Sequence, residues 1–334
     1  MRRVCLLLAV VLAGCGTVAA NRKSPSEPNV PFMAQRPGQC GPAALAMLAQ
    51  YYGHIVTQDE IADEIYLPDI YGTLTSELTA YAGRFGLWVR SYRGSLADVR
   101  EKLHHRVPLI VLGKLGNRYH YFVLLRYDEA TGTLIVHSDT RPNLAMRRED
   151  FMRWWNRAGN WTLLVCPPDK VSWRLSADEC NDLGLHFEST GDLARAAGHY
   201  RRASELRPSN SYFHFNLGNA MMKQGLNREA AAAFAQAIRV ETENADAMNN
   251  LAWTWHELDA NLEEAAALCR KACLLRPGKR AYYLDTLGCV LLKGGDVTGA
   301  VNAFQEALES TTPQQAALRQ AISDRLAAAR NRSP

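Results

Sequence analysis

The chain has 334 residues, 47% hydrophobic and 22% charged, the make-up of a soluble globular protein long enough for about two domains. A formal net charge of +4 without any basic block argues against nucleic acid as a partner. The nine histidines show no metal-ligand spacing and neither HExxH nor CxxC occurs, so no metal or other cofactor is implied.

The N-terminus reads as an export signal. Arg2 and Arg3 precede an apolar run from Val4 to Leu12, too short to span a bilayer but suited to a signal-peptide core. The run ends in "LAGC", which resembles the lipobox of bacterial lipoproteins. In that family the chain is cut before the cysteine, so Cys15 becomes the lipidated first residue. An ordinary secretory signal or an uncleaved anchor is the plainer alternative. The resemblance implies a lipid anchor in a bacterial membrane. Gly16 in the second mature position, rather than Asp, implies the outer membrane, facing the periplasm. Residues 1–15 are thus the expected signal peptide. Residues 16–30, small, polar and proline-bearing, are the expected flexible tether.

Next comes "GQCGPAALAMLAQYYG", residues 38–53. Pro42 suits the first turn of a helix, and Leu45, Leu48 and Tyr52 recur at helical spacing. Cys40 then stands at a helix N-terminus, where the dipole and free N–H groups favour a thiolate and lower its pKa. A buried structural cysteine fits the same local pattern. Cys5 leaves with the signal and Cys15 takes lipid. The other six cysteines form no disulfide framework, and a free Cys40 in an oxidising compartment points to a reactive role. Helices are predicted over 57–66 and 75–86, each with a capping residue and an acidic first turn, and over 95–103. Strands are predicted over 87–92, 108–113, 119–125, 133–138 and 161–166. Helices first and strands later predict an α+β domain with an antiparallel sheet.

A nucleophilic thiol needs a histidine within reach and a third group to orient it. With a turn centred near residues 130 and 131, residue numbers paired across the 119–125 and 133–138 hairpin sum to about 260–262. That register sets His120 beside Asp139 and leaves His137, the competing base, in mid-strand.

These residues carry a resemblance. "QRPGQCGPAALAML", "RYHYFVLLRYD" and "VHSD" resemble the double-glycine leader peptidases, the papain-like domains of bacteriocin exporters. The resemblance spans 31–168 and implies a papain-like cysteine peptidase fold with a peptide or protein substrate, cleaved after Gly-Gly. It implies Cys40 as nucleophile, His120 as base, Asp139 as its orienting carboxylate and Gln35 as oxyanion donor, with Gln39 the runner-up for that last role. Exporters fuse this domain to membrane-spanning and nucleotide-binding parts. Here no further apolar span and no GxxxxGK[ST] occurs, so the chain resembles stand-alone lipoprotein members that carry tetratricopeptide repeats.

In the second half, Leu-Gly or Leu-Ala pairs recur at Leu183, Leu217, Leu251 and Leu287, spaced 34, 34 and 36 residues apart. A period near 34 is the tetratricopeptide signature and predicts an all-α solenoid of four repeats over 174–311. A capping helix and tail follow over 312–334. The first helix of each repeat is expected to line a groove for a protein partner. The groove positions are Tyr212, Phe215 and Asn219 in repeat two, Asn249 and Trp253 in repeat three, and Tyr282 and Asp285 in repeat four. The leading reading is a membrane-anchored cysteine peptidase whose repeats recruit substrate or partner. The alternatives are a non-catalytic periplasmic scaffold lipoprotein and a Cys–His–Asp enzyme acting on cell-wall peptides or transferring acyl groups.

Overall fold

A computed structural model describes residues 28–332, so the signal, Cys15 and the tether up to residue 27 lie outside the described residues. The described residues form two compact units, one of residues 28–85 and 91–166, the other of Gly86–Arg90 and the residues from Pro167 on. Val30, at the end of the expected tether, is already buried, and its carbonyl lies 3.2 Å from His137 Nε2.

The first unit begins with α1 (Cys40–Tyr51), buried from Gly41 to Ala49 on every side. A helix apolar all round belongs in a core. Its alanines at 43, 44, 46 and 49 keep its girth small where it packs on β3 (Arg118–Asp128), buried from Tyr121 to Leu125. In α2 (Gln58–Ile65), Thr57 and Glu60 form a capping box. In α4 (Leu96–His104), Ser95 accepts the Asp98 N–H. α3 (Thr75–Ala82) departs from expectation. Leu74 is its N-cap residue without a side-chain bond, and Thr75 sits one position inside the helix.

The sheet runs β1-β6-β2-β3-β4-β5, with β1 Trp88–Arg93, β2 Leu109–Leu115, β4 Thr133–Ser138, β5 Arg141–Arg147 and β6 Trp161–Cys166. The β3–β4 ladder pairs Asp128 with Thr133 and Val123 with His137, within the expected register, and a bulge falls between Leu124 and Arg126. The sequence reading missed β5 and the helix after it, α5 (Arg148–Arg157). In β5 the only buried residue is Met146, so an edge strand with Pro142 and two arginines shows no apolar alternation. In α5 the signal was present, since Phe151 and Trp155 are buried at i and i+4 behind an acidic first turn.

The second unit is four helix pairs and a cap. The pairs are α6 (Ala177–Ser189) with α7 (Leu193–Leu206), α8 (Ser211–Lys223) with α9 (Asn227–Val240), α10 (Ala245–Leu258) with α11 (Leu262–Leu275), and α12 (Arg280–Lys293) with α13 (Val297–Glu309). α14 (Ala316–Arg330) closes the core with Ile322, Leu326 and Ala329. The Leu-Gly pairs have a steric cause. A Cβ at Gly184, Gly218 or Gly288 would lie 2.6, 2.6 and 2.5 Å from the rings of Tyr200, Phe234 and Phe304 respectively. Each ring is fully buried, a burial worth about 1.5–3 kcal/mol. Repeat three has Ala252 in the glycine's place, and the buried residue in the ring's place is the small Cys269. The repeat-three connection also substitutes for glycine, with Asp259 and Asn261 at φ 52° and 51° where the other repeats turn at Gly191, Gly225 and Gly295.

Candidate active site

Cys40 opens α1 above first-turn N–H groups that have no partner within the helix. Gly41 follows because a Cβ there would lie 3.2 Å from Thr73 Cβ and 3.3 Å from the Tyr121 ring. The Tyr121 hydroxyl donates to the Thr73 carbonyl at 3.1 Å, which fixes that ring against the turn. Burial raises the Cys40 pKa above the ordinary thiol value. The backbone N–H groups of Tyr121, Gly41 and Cys40 pull it down, and the Asp139 carboxylate pushes it up. The expectation of a lowered thiol pKa is thereby corrected: the helix-start donors are there, but desolvation outweighs them.

His120 lies on β3 opposite Gly113 of β2. A Cβ at Gly113 would come 2.8 Å from Phe122 Cε2, so the bare backbone makes room for that ring. Phe122 packs edge-on against His120 with centroids 4.6 Å apart, and stacks on Trp154 of α5 at 6.2 Å. Burial lowers the His120 pKa, and the Asp139 carboxylate opposes that shift. Nε2 of His120 lies 3.1 Å from Ser138 Oγ and 3.6 Å from Asp139 Oδ1. Asp139 stands just past β4 with φ 52°, left-handed backbone at the first turn position between Ser138 and Arg141, which aspartate tolerates.

Gln35, the expected oxyanion donor, meets Asp139 in the substrate-free cleft. Its backbone N–H donates to the Asp139 carbonyl at 3.1 Å and its side-chain amide to Asp139 Oδ1 at 3.0 Å. Gln39 is the N-cap residue of α1, and its buried side-chain carbonyl has no partner among the described residues. His137 is buried next to last in β4. Its Nδ1 accepts the Asn143 N–H at 3.1 Å and its ring meets Phe32 edge-on, so it ties the N-terminal segment to the sheet.

Cys40, His120, Asp139 and Gln35 all line one cleft of about 840 Å³. Leu112, Phe122, Leu144, Met146 and Trp154 form apolar walls, and Ile70, Tyr71, Leu74 and Tyr119 stand exposed at its rim. Residues 30–169 match the peptidase C39 family, while 184–225 and 215–280 match tetratricopeptide repeat families. The chain carries a peptidase C39 domain followed by tetratricopeptide repeats. It is 32% identical over 146 residues to Protein FlbA of Caulobacter vibrioides, covering 42% of this chain but 24% of FlbA. It is 35% identical over 137 residues to an uncharacterized protein of Methanothermobacter thermautotrophicus, covering 41% of this chain and 89% of that one. PilF of Pseudomonas aeruginosa is a solved structure similar to it, 23% identical over 46% of this chain and 69% of PilF, with a TM-score of 0.40. The chain spans less than a quarter of the length of the relatives FlbA and mouse TMTC3, 24% and 18%.

The seven groove positions lie on α8, α10 and α12, the first helices of their pairs. Tyr212 and Tyr282 are exposed, at 49% and 45%. Phe215 packs on Phe234 at 6.0 Å and belongs partly to the core. Asn219 accepts the Asn250 amide at 2.9 Å, so its carbonyl is engaged between α8 and α10. Asn249 donates to Asn250 Oδ1 at 3.3 Å, while its own Oδ1 is buried without a partner among the described residues. Trp253 stacks on His256 at 5.0 Å beside a hollow of about 440 Å³ floored by Cys289 and Phe304. Asp285 is paired with Arg325 of α14, so its carboxylate already has a cationic partner within the chain.

Sequence reasoning overlooked three residues of the C39 domain's site: Ser138, Tyr121 and Gly113. Adjacent strand residues point to opposite faces, so Ser138 and Asp139 do not read as partners until the turn bends one toward the other. Gly113 ends the apolar run "PLIVLG", and an isolated glycine in a strand was the available sign of close approach.

Proposed function

We propose that the C39 domain is a cysteine peptidase in which Cys40 attacks the scissile carbonyl and His120 carries the proton. The observation that carries this reading is the convergence of Cys40, His120 and Asp139 in one cleft, with His120 Nε2 on the Ser138–Asp139 side. That arrangement leaves Nδ1 as the ring nitrogen for the thiol. The thiol is raised and the imidazole lowered, so both groups start neutral and His120 works as a general base. As the C–S bond forms, the thiol proton passes to Nδ1 and the carbonyl π pair moves to oxygen. The Cys40 backbone N–H at the helix start stabilises that oxyanion. Collapse expels the amine, which takes the proton from His120, and water then hydrolyses the thioester with His120 again as base.

The substrate is a peptide or protein segment, with a Gly-Gly type site as the reading inherited from the family, and the repeats recruit it or a partner. The lipobox at Cys15 adds a membrane anchor, which Cys15→Ser would remove in fractionation. A thiol-directed activity probe on the full chain tests the catalytic reading. Labelling at Cys40 that is lost in Cys40→Ala and His120→Ala supports it. A wild-type chain that is neither labelled nor able to cleave Gly-Gly peptides would instead be a scaffold whose repeats do the work.

A further inference from the structure

We propose that Ser138 is the hydrogen-bond bridge between His120 and Asp139, and that Gln35 clamps the Asp139 carboxylate from its other side. The inference rests on the peptidase reading for its catalytic meaning, but its geometry stands independently. The direct His120–Asp139 separation, 3.6 Å, is beyond a normal hydrogen bond. Ser138 Oγ fills the gap, 3.1 Å from His120 Nε2 and 3.3 Å from Asp139 Oδ2. Gln35 Nε2 occupies the other carboxylate oxygen, Oδ1, at 3.0 Å, and the Gln35 N–H holds the Asp139 carbonyl at 3.1 Å. Both carboxylate oxygens therefore have a donor, and the clamp uses one of the two N–H donors on the Gln35 amide.

The bridge has a direction. An ionised carboxylate only accepts, so the Ser138 O–H donates to Asp139 and its lone pair is left to accept from Nε2–H. That fixes the neutral tautomer with Nδ1 bare, the form that can take a proton from Cys40. Asp139 sits at a turn tip with its side chain 48% exposed, where an unclamped carboxylate would swing into water. Ser138 is buried, so its hydroxyl has few competing partners. Both residues are positioning residues that act through His120. The titratable and charged groups that line the same cleft as His120 are Asp139 from the β4–β5 turn, Cys40 from α1, Tyr119 and Tyr121 on its own strand, and Arg118, Arg141 and Tyr71.

The experiment is the NMR titration of the His120 ring in the full chain, assigned with His120→Gln and read without substrate, beside peptide hydrolysis. Ser138→Ala should lower the His120 midpoint by about one pH unit, because the imidazolium loses its acceptor. It should also lower kcat/KM about tenfold or more. Ser138→Thr, which restores the hydroxyl, should recover both. Gln35→Ala should shift the same midpoint, whereas a donor to the oxyanion only would cost about 10²–10³ in kcat and leave the midpoint alone. An unchanged midpoint in Ser138→Ala overturns the bridge, and an unchanged midpoint in Gln35→Ala overturns the clamp. A shifted midpoint in a wild-type background that cleaves no peptide supports the bridge while removing the peptidase reading.

Discussion

Gly113→Ala tests whether the Phe122 ring holds the His120 imidazole in place. The added Cβ would sit 2.8 Å from Phe122 Cε2, with Cδ2 and Trp154 Cβ both at 3.5 Å. Relaxed carbon contacts lie at about 3.5–4.0 Å, so the ring edge must withdraw by roughly 0.7–1.2 Å. Phe122 is buried and backed by Trp154 at 6.2 Å, so it withdraws into packed atoms. Overpacking of this kind costs about 1–3 kcal/mol, a loss the domain should survive folded. His120 packs on the same ring, with centroids 4.6 Å apart, and its imidazole should move with it. A displacement near 1 Å in a reacting group lowers turnover by about 10²-fold. Peptide hydrolysis gives kcat/KM, thermal melting gives the stability loss, and the His120 ring resonances report the displacement directly. Adding Phe122→Leu, which removes the Cε2 atom, should recover part of both losses. A Gly113→Ala protein that melts lower yet keeps wild-type kcat/KM and unmoved His120 resonances would refute the reasoning.

Burial raises the Cys40 pKa above its ordinary 9.0, so the thiolate is scarcer than in a free thiol at neutral pH and must grow as pH rises. Iodoacetamide alkylation, followed at the Cys40 peptide by mass spectrometry, should therefore accelerate about tenfold per pH unit from 7 to 9. A rate flat between pH 6 and 8 would mean a preformed thiolate–imidazolium pair. In the repeats, Gly218→Ala places a Cβ 2.6 Å from Phe234 Cε1 and should cost about 1–3 kcal/mol in chemical denaturation. Combined with Phe234→Cys, which copies the Ala252 and Cys269 pairing of repeat three, the loss should fall short of the sum of the two single losses. Strict additivity would remove the steric account of the Leu-Gly pairs.

Local chemistry and periodicity determine much of this protein from sequence alone. The repeat array is legible because each unit must bury the same face against its neighbour, so the Leu-Gly pair returns at Leu183, Leu217 and Leu287 and repeat three varies both partners together. The start of α1 at Cys40 and the β3–β4 register are legible because Pro42 and the short turn near Gly132 restrict the backbone locally. The register alone carries His120 toward Asp139. Edge strand β5 stayed hidden because a strand that buries almost nothing writes no apolar pattern. Tertiary structure decided the rest, in each case through an energy that depends on distant neighbours. The Cys40 thiol rises because the folded core desolvates it, which the helix start cannot reveal. Gln35 meets Asp139, and Ser138 stands between Asp139 and His120, because a left-handed residue turns the chain back at 139. Asp285 is ion-paired because α14 delivers Arg325 to it from 40 residues downstream. Spacing encodes which residues share a face, but only the packed fold sets which partner each polar group finds when water is withdrawn.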